Sequence, residues 1–146
     1  MRVSIRSEHA ISTQTVKKPI IIGGLKLPFS HAMCVGDLLF VSGQASVDLK
    51  TGEIITGTFA EEFKRSIDNL RTILAAAGAT PADIVKVGCF VRRDEDLPEF
   101  NRLYREVFSE PFPARTTITN CLPPTLLFEI DCVAQLDVHH DTRERK

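Results

Sequence analysis

Leu126-Leu127-Phe128-Glu129-Ile130-Asp131-Cys132-Val133-Ala134-Gln135-Leu136 is the stretch that sets the fold. Every even position in it is apolar, whereas the odd positions read Leu127, Glu129, Asp131, Val133 and Gln135. A period of two is that of a strand with one face on a core, so the even set turns inward and Glu129 and Asp131 point the other way. The cover for the inward face lies upstream. Thr58-x-x-Glu61 is a capping box, in which each side chain satisfies the other residue's free backbone N–H. It opens a helix whose Phe59, Phe63, Ile67, Leu70, Leu74 and Ala77 recur at three and four. Gly78 is placed to close that helix. Asp96-x-x-Glu99, with Pro98 in the first turn, opens a second helix striped by Leu97, Phe100, Leu103, Tyr104, Val107 and Phe108. Pro111 and Pro113 prevent its continuation.

Outward from these elements, Leu38 to Gly43 reads as a short buried strand followed by the turn Asp48 to Gly52. Val85, Val87, Cys89 and Val91 alternate with Lys86, Gly88, Phe90 and Arg92, and Arg115 to Thr119 is rich in β-formers. Near the start, Val3 and Ile5 alternate with polar neighbours as an edge strand would. The order is strands, helix, strand, helix, strands, which is a sheet with two helices on it. Two helices cover one face of five or six strands, so the other face meets water or another copy. Ile118 is expected to turn inward, sending Arg115, Thr117 and Thr119 to the helix-free face. If that strand pairs with the last one, Arg115 and Glu129 share this face with Leu127, Val133 and Phe90, while Val85, Val87, Cys89 and Val91 pack on the helices. A mixed apolar and charged face suits a subunit interface with a polar pocket, which predicts a homo-oligomer.

At 146 residues and 43% apolar content the chain fills a single core, and one domain over 1–146 is expected. The net charge is −1, which gives no global basic field for nucleic acid or an anionic membrane. Arg92-Arg93 and the Arg143 to Lys146 tail are the short basic clusters, both mixed with acids. No apolar run approaches the roughly 18–20 residues that cross a bilayer. Cys34, Cys89, Cys121 and Cys132 form no CxxC pair, so zinc-ribbon and thioredoxin patterns are absent. Cys89 and Cys132, in apolar strands, read as small hydrophobes. Residues 1–18 hold Glu8 as their only acid, a composition compatible with organellar targeting. The strand-like alternation favours an ordinary leader, and the expected compartment is the reducing cytoplasm. His139-His140 lacks a third ligand and reads as part of a solvated tail, so no metal site is expected.

Several segments in order resemble the reactive intermediate deaminase (Rid, or YjgF) family. Pro28-Phe29-Ser30-His31-Ala32 and Val35-Gly36-Asp37-Leu38-Leu39-Phe40-Val41-Ser42-Gly43-Gln44 are similar to its N-terminal signature. Thr51-Gly52-Glu53, Asn69-Leu70, Leu74 to Ala79 and Asp83 to Val87 match its middle. Phe100-Asn101-x-x-Tyr104, Phe112 to Thr116 and Glu129 to Ala134 match its C-terminal part. The likeness runs from Pro28 to Leu136, leaving 1–27 as leader with a probable edge strand, 28–136 as family core and 137–146 as polar tail. It implies a chorismate-mutase-like α+β fold, a mixed sheet with two helices on one face, assembled as a homotrimer with sites between subunits. It further implies hydrolysis of 2-imino acids, the enamine/imine products of pyridoxal-phosphate enzymes, to 2-oxo acids and ammonia, without metal or organic cofactor.

The residues suit that chemistry. A guanidinium fork grips a carboxylate with two charge-assisted hydrogen bonds, a role for Arg115. Hydration of the C=N carbon needs a carboxylate to take and return a proton, a role for Glu129. Taken alone, the pair also reads as a cross-strand salt bridge. Ser42 and Gly43 match the strand end that meets substrate, and Asn101 matches a helix position near the cleft. Phe29 stands where many members have tyrosine, and Thr117 where many have cysteine, which bears on substrate choice. His31 adds a titrating group beside Phe29 or serves the fold. A small-carboxylate binding protein without turnover and a specialised deaminase of the aminomuconate type are the alternatives. An RNA-acting role fits the charge poorly.

Overall fold

The computed structural model describes residues 16–137. Val3, Ile5, His139, His140 and the basic end of the tail lie outside the described residues. Six strands, β1 (Lys17–Ile20), β2 (Ala32–Val35), β3 (Leu38–Ala45), β4 (Ile84–Val91), β5 (Ala114–Thr119) and β6 (Phe128–Gln135), form one sheet in the order β1-β2-β3-β6-β4-β5. Helices α1 (Phe59–Ala76) and α2 (Leu97–Val107) pack on one face.

Both β3 and β4 run antiparallel to β6, so they are parallel to each other with β6 inserted between them, and β5 lies parallel to β4 outside it. Parallel strands need crossovers, which α1 supplies from β3 to β4 and α2 from β4 to β5. Both steps go the same way across the sheet, and crossovers of one hand then put both helices on one face. The inner side of β6 meets that layer. Phe128, Ile130, Cys132 and Ala134 are buried with Val87, Cys89 and Val91 of β4, as the alternation predicts. The Phe128 ring sits 4.8 Å from Phe63, 5.6 Å from Phe100 and 5.9 Å from Phe59, centroid to centroid.

The capping box of α1 forms as expected. Glu61 N–H donates to Thr58 Oγ1 at 3.3 Å and Thr58 N–H to Glu61 Oε2 at 3.1 Å. Gly78 follows at φ +75°, the left-handed conformation glycine adopts without strain. The start of α2 differs from the expected cap. A 3-10 turn over Asp94–Asp96 precedes it, and the Asp96 carboxylate makes no cap bond but takes a fork from Arg93, at 2.7 and 3.0 Å. A buried carboxylate, Glu62 at 1% exposure, links α1 to the entry of β6 by accepting from Gly57 N–H at 3.3 Å and Leu127 N–H at 3.1 Å.

Three face assignments change. A register shift between Ile84 and Lys86 leaves Val85 46% exposed, and Ile84 takes the core position. Leu127 precedes β6 and packs against the core, away from the helix-free face. Most consequential, β5 pairs with β4 and not with β6, in the register Val87↔Arg115, Cys89↔Thr117, Phe90↔Ile118 and Val91↔Thr119. Residues opposite each other share a face, so Arg115, Thr117 and Thr119 lie on the helix side. Ile118 sits with Phe90 on the helix-free side, 44% exposed. An apolar residue on an outermost strand is free to point either way, because the helices do not cover the strand fully.

Phe128 anchors the aromatic cluster, so Phe128→Ala removes a ring with no exposed surface. Urea unfolding is expected to show a loss of about 3–5 kcal/mol, and a loss below about 1 kcal/mol would contradict this account of the core.

Candidate functional site

The expected site residues fall into two groups. Arg115, the second residue of β5, lies on the helix side, where its guanidinium carbon stands 5.0 Å from the Phe100 ring centroid and 4.7 Å from that of Tyr104. Phe100 and Tyr104 are four apart on α2, so their rings stack on one helix face and form a platform for the cation. Arg115 Nη2 donates to Asn101 Oδ1 at 2.9 Å. That bond uses one of five N–H donors, and Arg115 has no ion pair among the described residues. Phe112, Pro113, Arg105 and Tyr104 complete a depression of about 200 Å³ around Asn101 and Arg115. Burial pushes the Tyr104 hydroxyl above its usual pKa, and the group has no hydrogen-bond partner among the described residues. Thr117 follows on the same side of β5, opposite Cys89.

Glu129 lies in the second group, on the helix-free side of β6 opposite Phe90. Beside it β3 departs from regular pairing. The strand does not end at Gly43 but runs on to Ala45, with a register shift between Val41 and Gln44 that places Ser42 and Gly43 in a bulge. A Cβ on Gly43 would collide with the Glu129 carboxylate, 3.0 Å from its Cδ. The absent side chain is what lets Glu129 fold over the bulge. Phe29, His31, Gly43 and Glu129 line a cleft of about 270 Å³, and Ser42 and Phe29 share a shallower depression beside it. Ser42 Oγ donates to Ser30 O at 2.6 Å, and its N–H to His31 O at 2.9 Å, which fixes the bulge to the segment carrying Phe29. His31 serves the fold, since its Nδ1 accepts from Ile22 N–H at 3.1 Å.

Burial raises the Glu129 pKa above the ordinary carboxylate value of 4.5, and the like charge of Asp131 two residues on adds to it. The Glu129 carboxylate has no hydrogen bond or ion pair among the described residues. Asp131 differs, because its Oδ1 accepts from Gly88 N–H at 3.0 Å. The Cys89 and Cys132 thiols are pushed up to about 12 by burial, which makes them inert small hydrophobes.

Arg115 and Glu129 therefore do not share a face within one chain. Arg115 aligns through Val87 with Cys132, three residues from Glu129, with β4 between them. That is about 10 Å along the strands and about 10 Å across them, on opposite sides of the sheet. No small substrate spans this gap inside one copy. The platform under Arg115 and the apolar walls beside Glu129, namely Leu25, Leu27, Ile54 and Leu126, were not foreseen as site residues. The i, i+4 spacing of Phe100 and Tyr104 is the signal that would have found the platform. Nothing local marks the walls, which come from three separate segments.

The chain is similar in sequence and fold to known proteins. A family profile described as endoribonuclease L-PSP covers residues 25–136. A RutC family protein of Pyrococcus abyssi is 37% identical over 88% of this chain and 97% of its own length. A protein of Dermatophagoides farinae named 2-iminobutanoate/2-iminopropanoate deaminase is 34% identical over 89% of this chain and 98% of its own. Among solved structures, Escherichia coli TdcF with bound serine superposes with a TM-score of 0.69 at 29% identity, covering 81% of this chain and 98% of that one. Sequence and overall fold agree, and the chain belongs to the Rid (YjgF) family, whose profile bears the endoribonuclease L-PSP description.

Proposed function

We propose that the protein hydrolyses 2-imino acids to 2-oxo acids and ammonia, at a site that two copies complete. The observation that carries this reading is Glu129: a half-buried carboxylate with no partner among the described residues and a raised pKa, held against a glycine bulge in a cleft. A carboxylate raised above its ordinary pKa accepts and returns a proton more readily than a free one. The names of relatives such as the D. farinae deaminase support it, as does the amino acid held by TdcF.

In this reading Arg115 of one copy grips the substrate carboxylate through its unused donors, with Asn101 and the aromatic platform fixing the fork. Glu129 of the neighbouring copy faces C2 across the interface. It takes a proton from water as the oxygen attacks C2 and the C=N π electrons move to nitrogen. The same proton passes to nitrogen to give a carbinolamine, and Glu129 then takes the proton of the new hydroxyl and delivers it to the amine as the C–N bond breaks, leaving C2=O and ammonia. Phe29, Ser42, Gly43 and Thr117 line the path of the substrate. The helix-free face, with Phe40 and Ile118 exposed and Phe90 beside them, is the surface we assign to assembly. A homotrimer, as in the family's chorismate-mutase-like fold, closes three such clefts. The net charge of −1 disfavours the nucleic-acid role that the profile's description suggests.

Three outcomes are expected. In an assay coupled to an amino-acid oxidase, Arg115→Ala lowers kcat/KM for imine hydrolysis by at least about a hundredfold, and wild-type rates equal to buffer would refute the activity. Glu129→Gln lowers kcat by about 10²–10⁴ and removes an acidic limb that in the wild type lies above pH 4.5. Gly43→Ala gives a milder loss of the same kind by displacing that carboxylate. Stability carries a separate sign. A carboxylate whose folded pKa is raised favours the native state below its unfolded value and loses that contribution as pH climbs through the folded value. Denaturation midpoints of Glu129→Gln should therefore fall less than those of the wild type as pH rises above 4.5.

A further inference from the structure

We infer that the cleft beside Glu129 receives the side chain of a 2-imino acid whose chain is apolar and longer than that of alanine or 2-aminobutanoate, of the size of an isobutyl or benzyl group. This rests on the deaminase reading of the same site.

The cleft holds about 270 Å³, and its walls are Leu25, Leu27, Phe29, Val47, Ile54 and Leu126. Leu27, Phe29 and Ile54 remain 40%, 53% and 46% exposed in the free chain. Apolar surface of this extent next to a carboxylate gains most when a ligand's own apolar group covers it. His31, Gln44 and Asp48, which also line the cleft, each have one side-chain atom engaged by nearby backbone. His31 Nδ1 takes the Ile22 N–H, Gln44 Nε2 donates to Ser42 O at 3.1 Å, and Asp48 Oδ1 accepts from Lys50 and Thr51 N–H at 2.7 and 3.0 Å. The Glu129 carboxylate has no such bond among the described residues and is left to meet the reacting atoms.

The same lining argues against a side chain that ends in a second carboxylate. Among the described residues no lysine or arginine lines the cleft, and Asp48 and Glu129 would both repel it. A phenyl ring at position 29 keeps that wall apolar. The bulge anchors the wall in turn, through Ser42 Oγ on Ser30 O, one residue from Phe29. Each methylene taken into such a pocket is worth about fourfold in kcat/KM.

The test compares imines released by an amino-acid oxidase from leucine and from alanine, with semicarbazide as competing trap. The expected kcat/KM ratio, leucine-derived over alanine-derived, is at least about tenfold, falling toward one in Leu27→Asn. A smaller wild-type ratio with both imines turned over, or an unchanged ratio in the variant, overturns the apolar subsite and leaves the deaminase reading standing. If neither imine is turned over faster than in buffer, the deaminase reading fails. Calorimetry with 4-methyl-2-oxopentanoate and pyruvate then decides the subsite alone. Tighter binding of the longer acid upholds it, whereas equal, weaker or absent binding overturns it.

Discussion

The structure depends on the insertion of β6 between β3 and β4. That strand is hydrogen-bonded on both edges, and its inner side is clamped by the aromatic cluster of Phe59, Phe63, Phe100 and Phe128. Its backbone is thereby fixed, and the outer side chains inherit that fixity. Two of them are carboxylates, and each rests on a glycine of a flanking strand: Glu129 over Gly43 of β3, Asp131 over Gly88 of β4. A side chain at either glycine would collide with the acid. The sheet leaves room where charge must sit close to backbone.

Placement of the two acids produces different chemistry. The Asp131 carboxylate accepts from the Gly88 N–H and that of Glu129 does not, while burial, and after it the negative charge of Asp131, raises the Glu129 pKa. A cation within reach would reverse that effect. Arg115, on the opposite face and beyond β4, is out of reach within one chain, so a guanidinium and a carboxylate both stay available. The aromatic platform plays the matching part for Arg115, holding the cation by its face and leaving its N–H edges to a ligand.

Much of this was legible in residues. The alternation from Leu126 to Leu136 fixed which side chains of β6 are buried, and Thr58-x-x-Glu61 placed the start of α1. The ordered motifs from Pro28 to Leu136 pointed to the family. Errors arose at strand edges and in pairing. Ile118 was expected inward because it is apolar, yet an outermost strand has too little helix above it for hydrophobicity to choose a face. Val85 lost its core position to a one-residue register shift, which no composition signals. Asp96 was expected as a cap and instead binds Arg93.

The sequence by itself determined both helices and the strands β3 to β6, the inner face of the central strand, the uncovered face of the sheet and the residue types able to bind a carboxylate and move a proton. Periodicity and capping are local, so they survive without knowledge of neighbours. Only the tertiary structure decided that β5 lies beside β4, that Arg115 and Glu129 therefore face apart, and that apolar walls from separate segments meet beside Glu129. Strand order and register are long-range choices, set by crossover hand and by competition among whole faces for the core. A shift of one neighbour in that order moves a side chain from one side of the sheet to the other.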